Sequence, residues 1–196
     1  MIITIGREYG SGGRHVGQKL AEKLGIKYYD KNSLAEEAKK NPNYDELKNF
    51  YEEEQVNSLL HMIAISSNAK GFKVPFSFIR EIAEKEDCVI IGRCGNFILR
   101  NNPDMVSVFI YSDVEKRTHR VAEYENIKLE KARARLEKVD MERQGFHKYY
   151  TGEFWKNVNG YELCINSNEV GIDGAVDMII DFIEKRKNFK AQNKDF

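Results

Sequence analysis

The chain predicts an α/β protein, a three-layer αβα sandwich whose middle layer is a parallel sheet of about five strands. Three observations carry that expectation. Short β-prone runs fall at residues 2–5, 27–29, 88–91, 106–111 and 161–165, with sequence of helical period between them. Some of these runs, CVII above all, are apolar without alternation, as in strands buried on both faces. The runs close at strong punctuation: Gly6, Asp30, Gly92, and Asn166 with Ser167. Ligands of such sheets bind beyond the carboxyl ends of the strands.

Taken in order, residues 2–5 stop at Gly6 and enter GREYGSGGRHVG, a tight loop. From His15 the positions Val16, Leu20 and Leu24 recur at helical spacing, and Gly25 supplies a stop. The second strand ends at Asp30, with Asn32 and Ser33 placed to cap a helix starting near Leu34. Residues 35–70 read as mostly helical, with Val56, Leu59, Leu60 and Ile63 as an apolar stripe. This insertion fits a substrate cover and a plain pair of surface helices equally well. Residues 76–83 form another helix that buries Phe76, Ile79 and Ile82, and a further helix starts at Asp113 after the fourth strand. Between residues 115 and 138, Arg117, Arg120, Arg133 and Arg135 alternate with Glu123, Glu125, Glu130 and Glu137, a pattern expected on solvated helix faces. A last amphipathic helix runs from about Gly171 to Arg186 through Ala175, Met178, Ile179 and Phe182, and residues 186–196 are expected to fray.

Composition bounds the function. At 196 residues the chain suits a single domain, residues 1–185, with at most a small insertion or flap. Its 31 basic and 31 acidic side chains cancel, which argues against a surface built for a nucleic acid polymer. No apolar run approaches a membrane span, and the start MIITIGREYG lacks the basic and long apolar regions of a secretory signal, so a cytoplasmic protein is expected. Cys88, Cys94 and Cys164 form an odd, dispersed set that suits reduced thiols and no zinc site. His15, His61, His119 and His147 are equally scattered.

Gly6, Gly10, Gly12 and Gly13 would let the backbone turn sharply and aim several N–H groups at one centre, beside the positive end of the following helix. Phosphate is the natural guest. The pattern GxxxxGK[ST] is not met, because Gly13 stands where lysine is expected and Arg14 and His15 follow. A guanidinium at Arg14 could replace the ammonium, and His15 could add a donor. The competing account is a Gly-rich turn that only joins strand to helix.

The runs ITIGREYGSGGRHVGQKLAEKLGIKYYDKNSLAEEA, VIIGRCGNFIL, VFIYSDVEKRTHRV, VDMERQGFHKYYTGEFWKNV and YELCINSN, in this order, resemble the cytidylate-kinase-like branch of the P-loop nucleoside monophosphate kinases. The similarity spans Met1 to about Ile183. It implies a P-loop NTPase-type sheet, a helical NMP-binding insertion at about 35–80 and an arginine-bearing lid at about 115–155. It also implies that Gly10, Ser11, Gly12, Gly13 and Arg14 hold the donor phosphates. On the acceptor side it implicates Asp30 with Ser33, Arg93 in GRCGN, where Cys94 replaces the acid, and the lid pair Asp140 and Arg143.

Phosphoryl transfer between two anions needs several cations at the transferring group, and Arg7, Arg14, Arg93 and Arg143 are the candidates, with Arg14 and Arg143 as catalytic ones. Arg93, at the end of an aliphatic strand, suits ligand contact or a structural ion pair. Asp140 and Arg143 share a helix face and could simply pair with each other. Tyr149, Tyr150, Phe154 and Trp155 read as a hydrophobic anchor or a base-stacking platform. Cys94 reads as a buried filler or, beside Arg93, as an activated thiol.

The expected activity is transfer of the ATP γ-phosphoryl to CMP, dCMP or a related small acceptor, with Mg²⁺ on the donor phosphates. The sequence assigns no metal ligands. A non-catalytic nucleotide-binding or sensor module is the alternative, and a kinase for another small molecule the third reading. The partner in each is a small nucleotide or related metabolite, with no nucleic acid polymer and no membrane.

Overall fold

The computed structural model describes residues 1–51 and 73–193. Five parallel strands, β1 (Ile2–Arg7), β2 (Lys27–Tyr29), β3 (Cys88–Ile91), β4 (Met105–Tyr111) and β5 (Leu163–Asn166), stand in the order β2-β3-β1-β4-β5. β1 is central: Ile2 to Ile5 pair with Cys88 to Ile91 on one side, and Ile2 to Arg7 with Met105 to Ile110 on the other. Because successive strand residues point to opposite faces, the aliphatic runs feed two separate cores. Ile3, Ile5, Val89, Ile91, Val108 and Ile110 pack on one face under α1 (Gly13–Leu24) and the long C-terminal helix. Ile2, Cys88 and Ile90 pack on the other under α2 (Lys31–Ala38), α3 (Tyr44–Tyr51) and α4 (Lys73–Lys85). Filling both faces is what the unalternated runs required. The predicted parallel α/β sandwich is the observed fold.

A short α5 (Gly95–Ile98) follows β3. After β4, α6 (Val114–Glu125) and α7 (Leu129–Thr151) form a helical pair over the region expected as a lid, and α8 (Ser167–Gln192) follows β5. Several boundaries differ from expectation, among them three at helix ends. The cap of α2 is Asp30, whose carboxylate accepts from the amides of Asn32 and Ser33 at 3.0 and 3.1 Å while the Ser33 hydroxyl accepts from the Asp30 amide at 2.8 Å. This reciprocal box lets the helix start at Lys31. The final helix begins at Ser167 and passes Gly171 with non-helical backbone. It then continues to Gln192 where fraying was expected, tied down by Arg186 to Glu162 at 3.0 Å and by Lys190 to the Pro103 carbonyl at 2.9 Å. The stripe of Val56, Leu59, Leu60 and Ile63 lies outside the described residues.

Candidate functional site

The glycine-rich loop between β1 and α1 sits beyond the carboxyl end of the central strand, where a parallel sheet presents its ligand crevice. Its backbone is held from outside. The carbonyl of Arg7 accepts from Arg143 Nη1 at 3.1 Å, that of Tyr9 from Arg117 Nη1 at 3.0 Å, that of Gly10 from Arg120 Nη1 at 2.5 Å, and that of Ser11 from Ser167 Oγ at 2.6 Å. In a trans peptide the N–H points opposite to the preceding C=O. With the Tyr9 and Ser11 carbonyls bonded to Arg117 and Ser167, the amides of Gly10 and Gly12 point away from those two side chains. These two amides and those of Arg14 and His15, in the first turn of α1, find no hydrogen-bond partner among the described residues. Gly12 caps α1 at φ 80°, a left-handed conformation that side chains rarely adopt. Unpaired amides at a helix N-terminus suit an anion.

Beneath the loop lies a buried ionic cluster. Arg117 is 2% exposed; its Nε donates to the Ser112 carbonyl at 3.1 Å and lies 3.3 Å from Glu8 Oε2, and its Nη1 meets Asp140 Oδ2 at 2.7 Å. Glu8 also pairs with Lys156 and accepts from the Ser112 amide at 3.2 Å. Asp140 uses its other oxygen to accept the Tyr9 amide at 2.7 Å. The cluster couples α6 and α7 to the loop. One sequence reading changes here: Arg117, expected on a solvated face, is interior. Asp140, implicated on the acceptor side, pairs with Arg117 and the Tyr9 amide. The pattern held a signal for Arg117, since it shares a face with Val114 and Val121 at helical spacing. Glu8, Lys156, Arg120 and Ser167 carried no such signal, because their partners are distant in sequence.

The remaining candidates line the carboxyl ends of the strands. Arg93, 8% exposed and at φ 51°, donates from Nη1 to the Phe50 carbonyl at 2.9 Å and stands 4.7 Å over the Phe146 ring. It thereby bridges α3 and α7. Arg143 lies 5.4 Å from the Tyr9 ring centroid in addition to its bond to the loop. Arg14 reaches from α1 to the end of β2, where it meets Asp30 Oδ2 at 2.9 Å, with Ser33 adjacent in the cap. His15 is exposed at the start of α1. The fold thus places Gly10, Ser11, Gly12, Gly13, Arg14 and His15 together at the start of α1, with Asp30 joined to Arg14, Arg143 joined to Arg7, and Arg93 at the end of the neighbouring β3.

The aromatic residues divide. Trp155 is buried against Phe109 at 5.5 Å, Tyr150 packs on Phe50 at 4.7 Å, and Phe154 lies exposed under Lys148. Trp155 and Tyr150 are anchors to different parts of the core. Burial pushes the Cys94 thiol well above its ordinary range, against the smaller pull of Arg93, so the thiol is a filler and not an activated nucleophile. Among the described residues no group of three His, Cys, Asp or Glu could hold a metal, and no helix is long and apolar enough to cross a membrane.

This geometry has relatives. A cytidylate kinase of Archaeoglobus fulgidus is 28% identical over 192 residues, covering 95% of this chain and 97% of its own length. A crystal structure of an uncharacterized protein from Eubacterium ventriosum is 38% identical, covers 94% of this chain and 98% of its own, and superposes with a TM-score of 0.76. A shikimate kinase from Bacteroides thetaiotaomicron shares the fold alone, with a TM-score of 0.55 at 13% identity over 94% of this chain and 98% of its own. The profile of the Cytidylate kinase-like family matches residues 2–169, and the chain belongs to that family.

Proposed function

We propose that the protein is a nucleoside monophosphate kinase that moves the γ-phosphoryl of ATP to CMP, dCMP or a related small acceptor in the cytoplasm. The observation that carries this reading is the loop of residues 8–12, whose Tyr9, Gly10 and Ser11 carbonyls are bonded to Arg117, Arg120 and Ser167 while the Gly10 and Gly12 amides have no partner among the described residues, beside the start of α1. The site suits a chain of phosphates: the amides of residues 10–15 take the donor oxygens, with Arg7, Arg14, Arg93 and Arg143 as the surrounding cations. Asp30 with Ser33, Arg93 and Arg143 face the acceptor, while Asp140 keeps the loop in shape through the Tyr9 amide.

The chemistry asks little of the protein beyond position and charge. An oxygen of the acceptor monophosphate attacks the γ-phosphorus, the bond from that phosphorus to the bridging oxygen breaks, and ADP leaves with the electron pair. The second ionisation of a phosphate falls near pH ~6, so at neutral pH the attacking oxygen needs no base. Mg²⁺ bound to the donor phosphates would help neutralise the developing charge.

A coupled ADP assay with CMP, dCMP, UMP and AMP, with Mg²⁺ and on folded protein, tests the proposal. Nucleotide-dependent ADP formation highest with a cytidine monophosphate is expected; none with any acceptor defeats it. Gly13 in the lysine position favours one second reading, a nucleotide-binding module without turnover, which tight ATP or CMP binding by calorimetry in the absence of ADP formation would select.

A further inference from the structure

The loop departs from GxxxxGK[ST] at two places that the fold brings together. With Gly12 as the second glycine of the pattern, its first glycine falls on Arg7 and its lysine on Gly13. Arg7 ends β1 and Gly13 opens α1. A Cβ built on Gly13 would lie 2.6 Å from the Arg7 Cβ and 3.1 Å from its Cγ, so a side chain at 13 and the Arg7 side chain exclude each other. The Gly13 backbone is not left-handed and would otherwise accept one. The space vacated at 13 is filled by the stem of Arg7.

The head of that side chain travels toward β3. Arg7 Nη1 occupies the place that a Cβ on Gly92 would take, immediately before Arg93. The guanidinium thus stands between the amide-lined loop at the end of β1 and the acceptor-side arginine at the end of β3. Its own carbonyl is fixed by Arg143 at 3.1 Å. Arg14 is paired with Asp30 further along the sheet.

Building on the phosphotransferase reading above, we infer that Arg7 replaces the missing phosphate-loop lysine: its guanidinium neutralises the donor phosphates from the first position of the loop. A forked guanidinium binds phosphate oxygens in pairs, where an ammonium acts as a point charge. The two departures from the pattern are one compensated exchange, an arginine gained at 7 for a lysine lost at 13.

The test is a double-variant cycle read by calorimetric ATP affinity, with turnover on CMP as a second readout and circular dichroism as the fold control. Arg7→Ala and the uncharged, long Arg7→Gln each weaken ATP binding roughly ten- to a hundredfold. Gly13→Lys alone also weakens it, because the new Cβ displaces Arg7. Arg7→Gly combined with Gly13→Lys removes both Arg7 contacts, leaves a 3.2 Å approach to Ile110 Cβ to relax, and binds ATP more tightly than either single variant. If glycine at 7 unfolds the strand, Arg7→Gln against wild type decides alone, because alanine at 7 would keep the Cβ that lies 2.6 Å from a Cβ at 13. A double variant no tighter than the singles, or Arg7→Gln with wild-type affinity, overturns the inference. Wild-type protein that binds ATP without turning over any monophosphate defeats the phosphotransferase reading and leaves the affinities to decide Arg7. Wild-type protein that binds no ATP overturns both.

Discussion

Arg117 Nη1 and Asp140 Oδ2 lie 2.7 Å apart in the interior, and through them the helical pair α6–α7 holds the glycine-rich loop from below. Each partner spends a second bond on Tyr9: Arg117 on its carbonyl at 3.0 Å and Asp140 on its amide at 2.7 Å. The peptide plane that turns the Gly10 amide inward is therefore set by residues more than a hundred positions away.

Removing Arg117 takes the counter-charge from the partly buried Asp140 and leaves the buried Glu8 with Lys156 alone. Arg117→Ala is expected to cost about 3–5 kcal/mol, the usual penalty for breaking a buried ion pair. Asp140→Asn keeps an oxygen for the Tyr9 amide and should cost less. Urea unfolding of both checks this, and equal losses would show that charge is not the dominant contribution.

Arg93 distinguishes ligand contact from pure bridging. In the proposed reaction Arg93→Lys raises the acceptor KM by roughly tenfold or more, because a lysine cannot donate to Phe50 and to a phosphate in the same fork. The ATP KM should stay within about threefold. A fall in Tm with both KM values unchanged would make Arg93 a bridge between α3 and α7 only.

At the end of β2, Asp30 outweighs its partner in stability. Asp30→Ala loses the cap of α2 and should cost about 1 kcal/mol. Arg14 is half-exposed, and Arg14→Ala should fall within about 0.5 kcal/mol. On ATP affinity, Arg14→Ala should be milder than Arg7→Ala, which calorimetry reads directly.

Gly12 tests the loop itself. An alanine there must adopt φ near 80° and bring its Cβ to 3.3 Å from Ile172. A stability loss of about 1–2 kcal/mol is expected, with a larger proportional loss of ATP affinity, measured by denaturation and calorimetry. Wild-type affinity in Gly12→Ala would mean that the nest does not hold the phosphates.

His147 gives a pH signature. Burial pushes its pKa down to about 4. Above pH ~6.5 both folded and unfolded forms are neutral, and the group contributes nothing to pH dependence. As pH falls from there toward 4 the unfolded chain takes up a proton that the folded one refuses, so stability falls, by about 3 kcal/mol when complete. His147→Met should flatten that part of the acid limb in a Tm series; parallel curves for the two proteins would contradict the assignment.

The sequence by itself determined the layers and the loop. Unalternated runs such as CVII have no polar side to turn to water, so they demand a sheet covered on both faces, and glycines after β1 demand a tight turn. Asp30, Arg93 and Arg143 could be singled out because a motif carried them. Tertiary structure alone decided how the loop is held and where its charge comes from. Glu8 with Lys156, Arg120 with Gly10, Ser167 with Ser11, and Arg7 against Gly13 and Gly92 are contacts between segments whose spacing obeys no local period. Helical and strand periodicity record which side of an element is apolar. They do not record which two elements meet, and a buried charge such as Arg117 is placed by its partners rather than by its neighbours in sequence.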